Sequence, residues 1–243
     1  MGASLADFSE ELCTLVQTCS NFVVRIEGRA RHASTGVIWS SDGYVLTSNY
    51  TVEYNDAVVV GLPDGSRRSA ELIGRDAGTD LALLKLELEH EDERFAVPDW
   101  AAQEEIKLGH IVLTLARPGR TLRSAMGIIS TLSGRWAVLP GVEIERFIQS
   151  DCVTRAGFSG SLVSHVDGKA FGILSAGLLE RDHVILPSST LHQAVARILQ
   201  KEPPMLDLSE AVDGKEEADQ MPSRTQEGLD FIRPNSTGEE EEE

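Results

Sequence analysis

Positive charge is scarce in this sequence. Its 243 residues carry 22 Lys plus Arg against 39 Asp plus Glu, a formal net charge of -17. A nucleic-acid groove or a contact with an anionic membrane needs a basic surface, so neither partner is expected. Long apolar runs are missing as well, since none approaches the roughly 20 residues that span a bilayer. Met1 to Ala6 hold no positive charge and lead into no apolar stretch with a small-residue cleavage site. A secretory leader is therefore not expected, and the sequence reads as cytoplasmic. Cysteines are few: Cys13, Cys19 and Cys152 form no CxxC spacing, which points away from disulfides or zinc and towards reduced thiols. No cofactor and no metal is expected.

What remains is 41% hydrophobic and 25% charged, the balance of a folded globular chain. The charge is unevenly placed. Residues 201–243 hold 14 acidic and 4 basic residues, end in a run from Glu239 to Glu243, and contain little that could build a core. That segment reads as a disordered acidic tail. Upstream, Leu5, Phe8, Leu12, Leu15 and Val16 fall at helical spacing, so residues 1–19 read as an N-terminal helix.

After that the period changes to two, or to short apolar runs. Phe22–Ile26, Val37–Trp39, Tyr44–Leu46, Ala57–Val60, Leu81–Leu86, Ile111–Leu115 and Phe171–Leu174 read as strands. Ser41-Asp42-Gly43, Pro63-Asp64-Gly65, Arg117-Pro118-Gly119 and Asp167-Gly168 supply turns between them. Many short strands at such spacing predict an all-β barrel or sandwich. A closing helix follows Pro187-Ser188, with Leu191, Val195, Ile198 and Leu199 on one face. The polar stretch Glu91–Glu105 reads as a connection between two halves.

The stretch with most chemistry is Gly157-Phe158-Ser159-Gly160-Ser161. A serine between glycines can sit on a tight turn with its hydroxyl presented, beside backbone N–H groups able to meet a developing oxyanion. Strand-like Leu162-Val163 follows it, which argues against the strand-to-helix elbow of α/β-hydrolases.

Wider stretches carry a family resemblance. Thr35 to Tyr50, Asp76 to Lys85, and Ile148-Gln149-Ser150-Asp151 followed by Ala156 to Gly160 resemble, in order, the three catalytic segments of HtrA/Deg-type trypsin-like serine proteases. Ala116-Arg117-Pro118-Gly119 and Gly127-Ile128-Ile129-Ser130 are similar to connecting strands between them. The resemblance covers about residues 20–200. It implies two six-stranded trypsin-like β-barrels, over 20–105 and over 106–200 with the closing helix, and a site in the cleft between them. By the same resemblance Ser159 falls at the nucleophile, Asp80 at the orienting acid, and Gly157 and Ser159 at the oxyanion N–H groups. Val153 falls at the floor of the primary specificity pocket, where it would favour an apolar side chain.

The departure from the family that matters most for mechanism is at the general base. Where the family has its general-base His, this sequence has Tyr50. Phenols ionise near pH 10, about 3 units too high to take a serine proton at neutral pH. Ala156 and Ser161 also depart from the Pro and Gly usual there, and a positive φ at Ser161 would strain that loop. The reading is a pseudoprotease that still binds protein or extended peptide segments in its cleft. Its alternatives are a slow endopeptidase assisted by His32 or a partner, and a partner-binding scaffold acting through the acidic tail.

Overall fold

The structure, a computed structural model, describes residues 4–29, 32–53, 58–101, 105–139, 142–179 and 183–200. The acidic tail expected to be disordered lies outside these residues. Ser4 opens helix α1 (Leu5–Ser20) with a reciprocal cap, its Oγ accepting from Asp7 N–H and its own N–H donating to Asp7 Oδ2. The helix docks through its last turns only, burying Leu15 and Cys19 while Leu5 stays 88% exposed. The expected apolar face is thus displaced towards the C-terminal end.

Six antiparallel strands follow: β1 (Val23–Glu27), β2 (Ser34–Ile38), β3 (Tyr44–Ser48), β4 (Val58–Gly61), β5 (Arg67–Asp76) and β6 (Leu81–Leu86). They run β1-β2-β3-β6-β5-β4, and β4 pairs back onto β1 with Ile26 opposite Val60, closing a barrel. Val24, Ile26, Ile38, Val45, Val58, Val60, Leu84 and Leu86 fill it. β-Branched side chains and leucines alternate inward along these strands, as a pleated half-buried surface requires.

The second half contains β7 (Ile111–Ala116), β8 (Arg123–Leu132), β9 (Trp136–Leu139), β10 (Val142–Ile144), β11 (Ile148–Ser150), β12 (Leu162–His165), β13 (Ala170–Ser175) and β14 (Val184–Pro187). Its six-stranded sheet runs β11-β8-β7-β12-β13-β14, with β9 and β10 forming a separate ribbon. The sheet curls until β11 lies beside β14, where Gln149 Nε2 donates to the carbonyl of His183. The result is a barrel whose last seam lacks a strand ladder. Val112, Ile129, Ile148, Val163, Phe171 and Ile185 pack inside it.

A third apolar cluster joins the halves. Val37, Leu46, Leu81 and Leu83 meet Leu113, Leu115, Leu162, Ile173 and Leu186, with Leu15 of α1 and Leu191, Ala194 and Ile198 of helix α2 (Ser188–Gln200) completing it. Burial of each such Leu, Ile or Val contributes about 1.5–3 kcal/mol, so the interface is itself a core. The helices cross over. The first-born helix α1 packs on the second barrel, where the Cys19 thiol approaches Ser164 Oγ at 3.7 Å. The last helix α2 reaches back to the first: Ile198 lies over Gly74, and Arg197 pairs with Asp76 at 2.6 Å. Leu199, expected on the buried face, is 52% exposed. The connecting stretch is laced to β13, since Ala170 N–H donates to Asp99 and Ala101 N–H to Ala170.

Candidate active site

Asp80 ends the short turn between β5 and β6. It is the one described non-glycine residue with a positive φ, +54°, a conformation that short polar side chains tolerate better than branched ones. Its carboxylate is 4% exposed and fully engaged. Oδ1 accepts the backbone N–H of Tyr50 at 2.9 Å, while Oδ2 accepts the hydroxyls of Ser48 and, at 2.6 Å, Ser175. Three donors from both barrels therefore hold this buried carboxylate, and among the described residues no cation pairs with it. Gly177 leaves the room this needs, because a Cβ there would fall 2.5 Å from Asp80 Oδ2.

Tyr50 sits on a single 3-10 turn, Asn49–Thr51, that follows β3. Asn49 N–H bonds the carbonyl of Asp80 at 2.8 Å, tying the two turns together. The phenol oxygen of Tyr50 stands 2.5 Å from Ser159 Oγ. The phenol is directed at the serine and not at Asp80. Ser48 and Ser175 already occupy the carboxylate, and the ring carries its oxygen past Asp80 to the serine. Above the ring, the guanidinium carbon of Arg29 lies 5.5 Å from its centroid.

Ser159 is 5% exposed and belongs to a turn fixed from several sides. Phe158 N–H donates to the Arg155 carbonyl at 3.0 Å, and Gly157 takes φ +89°, the left-handed value a type II turn needs at its third position. Among the described residues, the N–H groups of Gly157 and Ser159 have no protein acceptor. Thr35 on β2 clamps the turn: its N–H donates to Ser159 O at 3.1 Å and its Oγ1 to Gly157 O at 2.7 Å. Its carbonyl in turn accepts from Thr47 Oγ1. Gly160 at φ +82° lets the chain pass Thr35, since a Cβ there would lie 2.0 Å from the Thr35 carbonyl oxygen. The positive φ values of this turn fall on Gly157 and Gly160, so Ser161 does not carry the strain that a positive φ there would bring. Ser161 Oγ donates to the Phe158 carbonyl, closing the turn from inside.

The trypsin-like peptidase domain family matches residues 34–173, which contain all of Tyr50, Asp80 and Ser159. The chain belongs to the trypsin-like peptidase family. The chain is 37% identical over 147 residues to a probable periplasmic serine endoprotease DegP-like of Pseudomonas putida (strain GB-1), covering 60% of the chain and 29% of that protein. It is 35% identical over 146 residues to serine endoprotease DegS of Haemophilus influenzae, covering 60% of the chain and 42% of that protein. The chain thus spans well under half the length of these relatives. The solved structure titled "Crystal structure of Deg5" superposes with a TM-score of 0.68 over 79% of this chain and 95% of that one, at 22% identity, and shows the same fold. The periplasmic naming of the DegP-like relative fits poorly with the cytoplasmic expectation. No described helix is long and apolar enough to cross a membrane.

Other expected site residues fall less neatly. Val153 is 72% exposed and lines an open groove with Met126, Phe158 and Arg155. Its side chain faces water along the wall of that groove, while the adjacent Cys152 turns into the core of the second barrel. His32 is exposed, and its carbonyl accepts Arg29 Nε at 3.1 Å. Among the described residues, no histidine ring hydrogen-bonds Ser159: His192 bonds the Ser188 carbonyl, and His110 and His165 stack beside Phe171. Sequence reading missed Ser48, Ser175 and Thr35 as the groups that hold the site. Ser48 lay inside a recognised segment, but a serine carries no mark of the carboxylate it will meet, and Ser175 comes from the far barrel.

Proposed function

We propose that this chain is a DegP/DegS-type peptidase homologue in which Tyr50 occupies the general-base position and hydrolysis is disabled, while the cleft retains extended polypeptide. The contact between the Tyr50 phenol and Ser159 Oγ carries this reading. Acyl transfer needs a group that removes the Ser159 proton as the oxygen attacks a carbonyl. When the phenol donates, it occupies the lone pair that Ser159 would use. When it accepts, the proton has nowhere to go, because Asp80 is turned to Ser48, Ser175 and the Tyr50 N–H. Loss of the base from such a triad costs on the order of a million-fold in kcat. The oxyanion turn needs no proton transfer, so its donors at Gly157 and Ser159 stay available to a bound carbonyl.

Support for a binding role comes from the open groove of Val153, Met126 and Phe158 beside the turn. A polypeptide held there gains main-chain hydrogen bonds that require no base. Labelling of the full chain with a fluorophosphonate tests the reading, with Ser159→Ala as the blank. Labelling no greater than the blank is expected. Rapid labelling of the unaltered protein overturns the proposal in favour of an active endopeptidase, and its loss in His32→Ala would then name the substitute base. Binding of an unfolded polypeptide that a Ser159→Trp block leaves unchanged would move the partner-binding role away from the cleft.

A further inference from the structure

A second cavity borders the loop after β7. Arg25, Arg67, Arg117 and Arg120 line a cavity of about 370 Å³, together with Glu27, Leu62, Gly61, Gly65 and Gly119. Four guanidinium groups against a single carboxylate are a concentrated positive charge in a chain of net charge -17. Glu27 is already shared, since Arg25 Nη2 lies 3.3 Å from Oε1 and Arg67 pairs with Oε2. Arg117 is 7% exposed, and only backbone carbonyls meet it: Nε donates to Val23 O at 2.8 Å and Nη2 to Ser20 O at 3.1 Å. Burial with no carboxylate to offset it holds the Arg117 pKa below the ordinary arginine value. Nε of Arg25 is buried without a hydrogen-bond partner. Among the described residues, Arg120 has no ion pair. Gly65 and Gly119 keep the walls open, with nothing within 4 Å of where either Cβ would stand.

A buried cation without a counter-ion is costly, and a planar fork of donors is suited to phosphate or carboxylate oxygens. The loop that carries Arg117 and Arg120 also touches the oxyanion turn. Arg117 N–H donates to Thr35 Oγ1 at 3.0 Å, the same hydroxyl that holds Gly157 O. Pro118 packs so closely on Gly157 that a Cβ at Gly157 would lie 2.4 Å from Pro118 Cβ. We propose that the arginine-lined cavity binds a multiply charged oxyanion, phosphate or clustered carboxylates, and that occupancy of the cavity tightens the turn that presents Gly157 and Ser159. The site is independent of whether Ser159 is reactive.

Calorimetric titration of the full chain with inorganic pyrophosphate and, separately, with citrate tests it, ionic strength being held with chloride. Saturable binding is expected, weakened at least about tenfold in an Arg67→Ala/Arg120→Ala variant, whose exposed side chains leave the core untouched. Tighter binding of pyrophosphate assigns a phosphate-bearing ligand, and tighter binding of citrate a carboxylate-bearing one. Absence of saturable heat with either probe at millimolar concentration, or equal affinity in the folded variant, overturns the site. Amide exchange in residues 155–160 reads the coupling. Slower exchange with saturating probe in the unaltered protein, absent in the variant, is expected. Unchanged exchange under saturation overturns the link to the turn.

Discussion

The two sides of the cleft have kept different things. On the first-barrel side, Asp80 keeps its left-handed turn and its donors, yet the residue beside it offers a phenol to the serine. On the second-barrel side, the turn from Arg155 to Ser161 keeps the positive φ at Gly157 and Gly160 and the clamp from Thr35. The difference teaches that backbone geometry and proton chemistry are separable here. The first is enforced by close approach of main-chain atoms across the barrel interface. The second depends on one side chain that no packing constraint protects, since Tyr50 is 42% exposed.

If that separation holds, replacing the one side chain has the largest effect. Tyr50→His should raise the rate of fluorophosphonate labelling of Ser159 by about a thousandfold or more, equivalent to at least ~4 kcal/mol of barrier. A folded Tyr50→His protein that stays inert would show that the turn is damaged as well. On the geometric side, Gly160→Ala should destabilise the protein by about 4 kcal/mol in chemical denaturation, from a methyl forced onto the Thr35 carbonyl and a disfavoured φ. A loss below about 1 kcal/mol would mean that the turn relaxes easily and that the interface does not enforce it.

Asp80→Ala should cost about 3 kcal/mol, because the hydroxyls of Ser48 and Ser175 and the Tyr50 N–H would lose their common acceptor. Smallest of all, Tyr50→Phe should change stability by no more than about 1 kcal/mol, the ordinary net contribution of one hydrogen bond at a part-buried position. It should leave labelling at the blank level. Strong labelling of Tyr50→Phe would show that the phenol masks an otherwise reactive serine.

Much of this was legible in the residues, and for identifiable reasons. Strands such as Leu81–Leu86 are apolar at every position but Lys85 because both faces are largely buried, so they read directly. β5 and β8 did not, because Arg67–Asp76 and Arg123–Leu132 are largely solvent-facing strands whose polar residues mask the alternation. Ser159 and Asp80 were readable through their local segments. The direction of the Tyr50 phenol was not, because it depends on Ser175, which comes 125 residues later and takes the space at Asp80. For Val153 the position in its segment was readable but not the direction of its side chain, since it is Cys152 next to it that turns into the barrel core.

The crossed helices have a consequence for how the chain comes off the ribosome. The partner of Cys19 in α1 is Ser164, 145 residues downstream. At about 5–20 residues per second of synthesis, α1 waits roughly 7–30 s for the surface it covers. During that interval Leu15 and Cys19 are exposed on a single amphipathic helix, and the first barrel lacks the partner for Val37, Leu46 and Leu83. The first barrel closes its own ladder between Val23 and Leu86 and is free to form early, whereas both helices dock only after β12 and β13 exist. The topology thus sets apart a barrel that can close on its own residues from an interface whose other side is synthesised later, so translation speed fixes how long that apolar face waits for its cover.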